Sequence, residues 1–179
     1  EHIRSFLDRR GIVLFLPPPS SDMHRWTQRI ASSIDLPWTW RSEVGISDAG
    51  SGLSTGDSAG RYLPAISNEL PTLLPSIEVV KTIPTIDQDG SEVILELTDG
   101  SPFLVSTSDQ WAGNGTVLFM SSSMDTRWTD LPTKPLMVPL FQELLRNLVS
   151  MSRDRMQMVV GAVPGNIDPQ TSTVYTHTD

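Results

Sequence analysis

The run Ile12-Val13-Leu14-Phe15-Leu16 contains no polar residue and is closed by Gly11 on one side and Pro17-Pro18-Pro19 on the other. It is too short for a stable helix, and the prolines stop one from continuing. It reads as a strand buried on both faces, as in a parallel sheet covered by helices. Thr116-Val117-Leu118-Phe119-Met120 has the same character and should be the best buried strand of the chain. The fold class expected is therefore α/β.

Helical periodicity supplies the covering elements. Residues 1–10 put Ile3, Phe6 and Leu7 on one face, and Gly11 stops that helix. Asp22 is a plausible N-cap for a second helix with Met23, Trp26, Ile30 and Ile34 at helical spacing, closed by Pro37. Pro135 opens the longest helix, with Met137, Leu140, Phe141, Leu144, Leu145 and Leu148 as its apolar stripe. Pro139 lies in its first turn, where a missing N–H costs little. Between these lie a Ser- and Gly-rich stretch, read as a flexible insertion at about 41–60, and a Leu/Pro-rich part at 61–76 whose prolines prevent a long helix. Ile77–Ile83 fits a strand. Val93–Leu97 and Phe103–Val105, joined through Asp99-Gly100, read as a hairpin. The domain is expected to span 1–153, with 154–179 as a linker or the start of a following β domain.

Composition narrows the function. The chain has 179 residues, enough for one domain with a real core. Its 13 Lys+Arg against 21 Asp+Glu give a net charge of -8, and no basic patch interrupts that balance, so nucleic acid is not an expected partner. There is no cysteine, which removes disulfides, thiolate metal sites and a Cys nucleophile together. No apolar run approaches the roughly 20 residues that span a bilayer. The chain begins without Met on a helix-like stretch and is read as an excised piece of a longer protein, any membrane anchor lying outside it.

Few residues suggest chemistry. Ser121-Ser122-Ser123-Met124-Asp125 follows a buried strand, where α/β folds place their sites. A serine nucleophile needs a His base and an orienting carboxylate, and His2, His24 and His177 sit in no recognisable motif. A diverged hydrolase using Ser123 and Asp125 is therefore the third reading. Asp87-Gln88-Asp89-Gly90 lacks the spacing of a Ca²⁺ loop and reads as a solvated turn. Asn114-Gly115-Thr116 matches a glycosylation sequon but is first a turn signal. No cofactor or metal is expected. Trp38 and Trp40 flank Thr39 and would share one side of a strand. They form either a carbohydrate- or peptide-stacking surface or, the favoured reading, a cover over the sheet. Asp125, Arg127, Trp128 and Asp130 lie between the buried strand and the last helix. Arg127 can pair with Asp125 or Asp130 while Trp128 packs beneath, a clasp fixing the angle of that helix.

The segment Gly115–Pro132, with Val138-Pro139-Leu140-Phe141-Gln142-Glu143-Leu144-Leu145 after it, resembles a part of certain bacterial membrane proteins. These carry an aerotolerance-regulator (BatA-type) N-terminal region, often a von Willebrand factor A domain, and a glutamine-amidotransferase-like domain. The likeness covers about 93–150 and is weaker over 1–35. It implies a flavodoxin-like, class I amidotransferase-like three-layer sandwich, largely parallel, with an antiparallel extension and with its first strands upstream of Glu1. It also implies a pseudoenzyme. The family's working members place a Cys after a central strand and a His followed closely by Glu after a late one, whereas here those places hold Pro17-Pro18-Pro19 and Ser121–Asp125. The function expected is a non-catalytic interaction or scaffolding domain of a membrane-anchored envelope protein. It would lie on the extracytoplasmic (periplasmic) side, with protein partners in the same chain or the envelope. The alternative is a carbohydrate- or peptide-binding module using Trp38 and Trp40.

Overall fold

The two apolar runs pair with each other. In the structure, a computed structural model that describes residues 2–19, 23–41, 44–87, 90–109, 111 and 115–154, β1 (Ile12–Phe15) runs parallel to β9 (Thr116–Met120), Ile12 opposite Thr116 and Phe15 opposite Phe119. Two glycines permit the approach that starts this pairing. Helix α1 (His2–Asp8) ends as Arg10 enters the left-handed region at φ 64°. A Cβ on Gly115 would lie 2.5 Å from the Gly11 carbonyl oxygen and 2.8 Å from that of Leu7, and one on Gly11 would lie 2.6 Å from that of Phe6. Gly11 was expected to end α1 through its conformational freedom. Arg10 supplies the left-handed turn instead, and Gly11 is needed for close packing.

The sheet continues antiparallel from β9. It takes in β8 (Pro102–Thr107), then β7 (Ser91–Leu97), then β4 (Leu53–Thr55), giving five strands in the order β1-β9-β8-β7-β4. The β7–β8 hairpin turns through Asp99-Gly100, with Gly100 at φ 82° and the Asp99 carboxylate accepting from the Ser101 N–H. Two compensating bulges interrupt the ladder. Val93 faces Val105, Leu95 faces Leu104 and Glu96 faces Pro102, so Ile94 and Phe103 are each one extra residue. Both are fully buried, and the bulge at Ile94 lets Ile94 and Leu95 enter the same core.

Each face of the sheet carries a core. Leu118 and Met120 join Leu140, Leu144 and Leu148 of α5 (Met137–Asp154), together with Leu70 of α4 (Leu70–Leu73) and Tyr62 of α3 (Ala59–Tyr62). Val117 and Phe119 face the other way, onto Leu7, Ile34 after α2 (Met23–Ser33), Trp38 of β2 (Trp38–Trp40) and Trp128. Two small antiparallel pairs complete the fold. β2 pairs with β6 (Thr85–Asp87), and β3 (Gly45–Ser51) pairs with β5 (Val79–Thr82). The 61–76 part forms short helical turns interrupted by its prolines, as expected.

Four expectations are corrected. The sheet is mixed rather than largely parallel: among the described residues β1–β9 is its parallel pair. β1 is an edge strand in this order, so its residues are only half-buried. The stretch read as a flexible insertion at 41–60 contains β3, β4 and the start of α3, because Leu53 anchors it at 0% exposure against Leu97 of β7. Finally, Ile3 and Phe6 are exposed while Leu7 is buried, and Leu145 stands 50% exposed although Leu140, Leu144 and Leu148 are buried, so both helical stripes are narrower than read. The proposed Asp22 cap and the whole of 155–179, including the expected linker or β-domain start, lie outside the described residues.

If Leu53 holds an edge strand in place, Leu53→Ala costs about 2–5 kcal/mol, the usual range for truncating a buried Leu. A urea-unfolding midpoint within error of the parent would return this segment to the status of a loop.

Candidate functional site

The stretch after β9 does not hang free; it serves as a partner for β5. The Trp128 carbonyl accepts from the N–H groups of Val80 (2.8 Å) and Lys81 (3.1 Å). Asp130 accepts from the Glu78 N–H at 2.8 Å and returns a bond from its own N–H to the Glu78 carbonyl at 3.0 Å. Buried Thr129 donates its hydroxyl to that same carbonyl (3.0 Å) and accepts from the Leu131 N–H (3.2 Å). One step earlier, the Ser121 carbonyl accepts from the Ile83 N–H at 2.6 Å. Trp128 itself is 5% exposed and packs in the core with Val117 and Phe119.

The four loop residues therefore divide their work. Arg127 grips Asp125 with two guanidinium bonds (2.8 and 3.0 Å) and a backbone N–H bond (2.9 Å), leaving Arg127 itself mostly in solvent. Those hydrogen bonds, the side-chain ones first, hold the Asp125 carboxyl down at about 2. Asp130 is not Arg127's partner; it pairs with Lys134 at 2.8 Å as well as binding Glu78.

Ser121, Ser122 and Ser123 are buried at the exit of β9. Ser121 is bound by its backbone to Phe103 and Ile83, and its hydroxyl has no partner. His24 bonds Gln28 (2.9 Å) on α2. No bond from His2 or His24 to Ser123 occurs among the described residues, and His177 lies outside them. No cluster of three His, Asp or Glu side chains suited to a metal ion occurs among the described residues.

Trp38 and Trp40 do not form an exposed stacking surface. Trp38 is 2% exposed, and half-buried Trp40 sets its ring edge-on to Phe119 with centroids 5.5 Å apart. They do form one wall of a cleft of about 210 Å³, closed on its other side by His24 and Gln28 of α2 and flanked by Thr39 and Arg41. Both indole Nε1–H groups are buried without an acceptor. A buried donor left unmade costs on the order of 1–3 kcal/mol.

Sequence reasoning missed one polar cluster. Arg61, on α3, reaches Glu92 of β7 at 2.6 Å and Asp109 beyond β8 at 2.5 Å. Beside it Tyr62 is buried, and burial, the leading cause, pushes its hydroxyl up to about 12. Glu143 of α5 similarly accepts from the Ala65 N–H (2.9 Å) and pairs with Arg146. These bonds tie the short helices to the sheet and to α5. Arg61 with Glu92 and Asp109, and Ala65 with Glu143, lie too far apart in sequence for any local pattern to have joined them.

No protein-family model matches the chain, and no characterised protein matches it. Solved structures do. The cytoplasmic protein STM3548 of Salmonella typhimurium superposes with a TM-score of 0.63 at 14% identity over 82% of this chain and 58% of that one. The cytoplasmic protein STM1381 of Salmonella typhimurium LT2 gives 0.55 at 12% over 85% and 58%. The chain thus spans 58% of the length of each of these two proteins, and at such identities the likeness establishes a shared mixed α/β fold. The expected extracytoplasmic position is corrected by these findings, since both proteins sharing the fold are named as cytoplasmic. No helix among the described residues is long and apolar enough to cross a membrane. The periplasmic expectation had rested on the Gly115–Pro132 pattern, whose Trp128 and Asp130 serve β5.

Two measurements follow from the loop. Trp128→Ala removes a buried ring and costs about 3–5 kcal/mol, so it lowers the melting temperature far more than Arg127→Ala, whose pair faces solvent. Equal melting of Trp128→Ala and the parent would remove Trp128 from the structural account. Asp125 has its folded pKa depressed from 3.8 to about 2, so its stabilisation is complete above about pH 4 and is lost as pH falls toward 2. Asp125→Asn should therefore flatten the stability profile in that window and leave its shape unchanged near neutrality. An unaltered acid limb would contradict this.

Proposed function

We propose that this chain is a non-catalytic interaction domain, a degenerate relative of the class I glutamine-amidotransferase architecture. The presence of a core on each face of a mixed sheet supports the three-layer part of that reading. One observation carries the functional part. The adjacent parallel strands β1 and β9 end in Pro17-Pro18-Pro19 and in Ser121-Ser122-Ser123, where such folds expose a nucleophile and its base. Here the backbone of Ser121 is committed to Phe103 and Ile83, the following loop is committed to β5, and the chain has no cysteine. What would be an open catalytic crevice is used to hold the fold together, leaving the surface for partners. Protein partners, including other domains of a longer chain of the BatA type, fit this reading.

A second reading, a ligand-binding module, is favoured by the cleft that Trp38 and Trp40 line. It differs from the stacking surface inferred from sequence, because Trp38 is buried and Trp40 half-buried, so neither ring stands free on the surface.

The test of the first reading is a glutamine-hydrolysis and chromogenic-ester assay on the purified chain, with no turnover above background expected. Turnover that Ser123→Ala abolishes would overturn it and restore the diverged-hydrolase alternative with Ser123 and Asp125.

A further inference from the structure

We propose that the cleft between α2 and β2 binds a small organic carboxylate, its acid group held by Arg41 and its body lodged against Trp38 and Trp40. The inference rests on the second, ligand-binding reading above and gives that site its ligand class. Three independent observations converge on it. The first is a deficit of acceptors: Trp38 and Trp40 line the cleft, and each carries a buried Nε1–H that has no hydrogen-bond partner in the protein. Buried donors are ordinarily paired, so an acceptor that reaches either N–H through a small movement of its ring satisfies it.

The second is charge. Among the described residues no acidic side chain lines this cleft, while Arg41 does. Arg41 makes no ion pair with any described residue, although the other arginines near the sheet, Arg61 and Arg127, are engaged with carboxylates. A planar guanidinium matches a carboxylate through two parallel bonds. The third is size and lining. About 210 Å³ is more than ten times the space one water needs. Aromatic rings on one wall with a few polar groups at the rim are the usual make-up of a small-molecule site.

Two sources present this chemistry, a peptide C-terminus and an acidic sugar. Four probes separate them: N-acetyl-Gly-Phe and its C-terminal amide, and glucuronate and glucose. Each is titrated into the ¹⁵N-labelled full chain while the Trp38 and Trp40 indole N–H resonances are followed, assigned with Trp40→Phe. The expected result is saturable movement of these resonances by one acid, affinity at least tenfold weaker for its neutral counterpart, and a comparable loss in Arg41→Gln, whose otherwise unchanged spectrum reports an intact fold. Which acid binds identifies the source. Equal binding of acid and neutral counterpart, or full binding by Arg41→Gln, overturns the carboxylate assignment while leaving a ligand-binding cleft. No movement with any of the four overturns both the assignment and the binding-module reading, and leaves the non-catalytic reading to the glutaminase assay.

Discussion

The structure depends on one interlock: the loop after β9 substitutes for a strand beside β5. Without it the amides of Glu78, Val80 and Lys81 would lose the partners that Asp130 and Trp128 provide. β5 carries buried Val79 into the core beneath α5, and Ile83 beyond it into the opposite core. The loop thus couples three things at once, namely strand β9, the β3–β5 pair and the entry to the last helix. Buried backbone groups must be paired, so a loop that pairs two residues of a strand and inserts a Trp has little freedom to become a catalytic elbow. On the non-catalytic reading proposed above, silence and stability have the same physical source.

The same logic separates the two ends of the aromatic side. Toward β9, Trp26 and Trp40 both pack on Phe119, and Trp26 also meets Phe15 edge-on. That cluster is core. Trp38 and Trp40 of β2 also line the cleft against α2. One pair of tryptophans therefore serves both the body of the fold and a cleft at its surface.

What could be read from the sequence was whatever has a local period or a local break. The runs at Ile12 and Val117, the Asp99-Gly100 hairpin and the helices containing Ile30 and Leu144 announce themselves by spacing and turn chemistry. β3 and β4 did not, because serines and glycines at 45–55 resemble a linker until Leu53 meets Leu97 across the sheet. Strand direction was illegible for a related reason: an apolar run states that both faces are covered, and β9 is covered equally well with a parallel neighbour on one side and an antiparallel one on the other. At the loop, the composition showed that Trp128 should be buried and Arg127 paired. It could not show that Asp130 belongs to Glu78, 52 positions away. The cleft was half-visible as two tryptophans, but His24, Gln28 and Arg41 come to it only through the packing of α2 on β2.

The interlock is tested most directly by hydrogen exchange at single amides, since local opening free energies report which bonds share one cooperative unit. The account predicts that the N–H groups of Glu78, Val80, Lys81 and Ile83 are strongly protected in the parent protein. It further predicts that all four lose protection together in Thr129→Val, which removes the hydroxyl bound to the Glu78 carbonyl and the Leu131 amide. Rapid exchange of these amides in the parent, or undiminished protection in the variant, would contradict the claim that this loop holds the fold together.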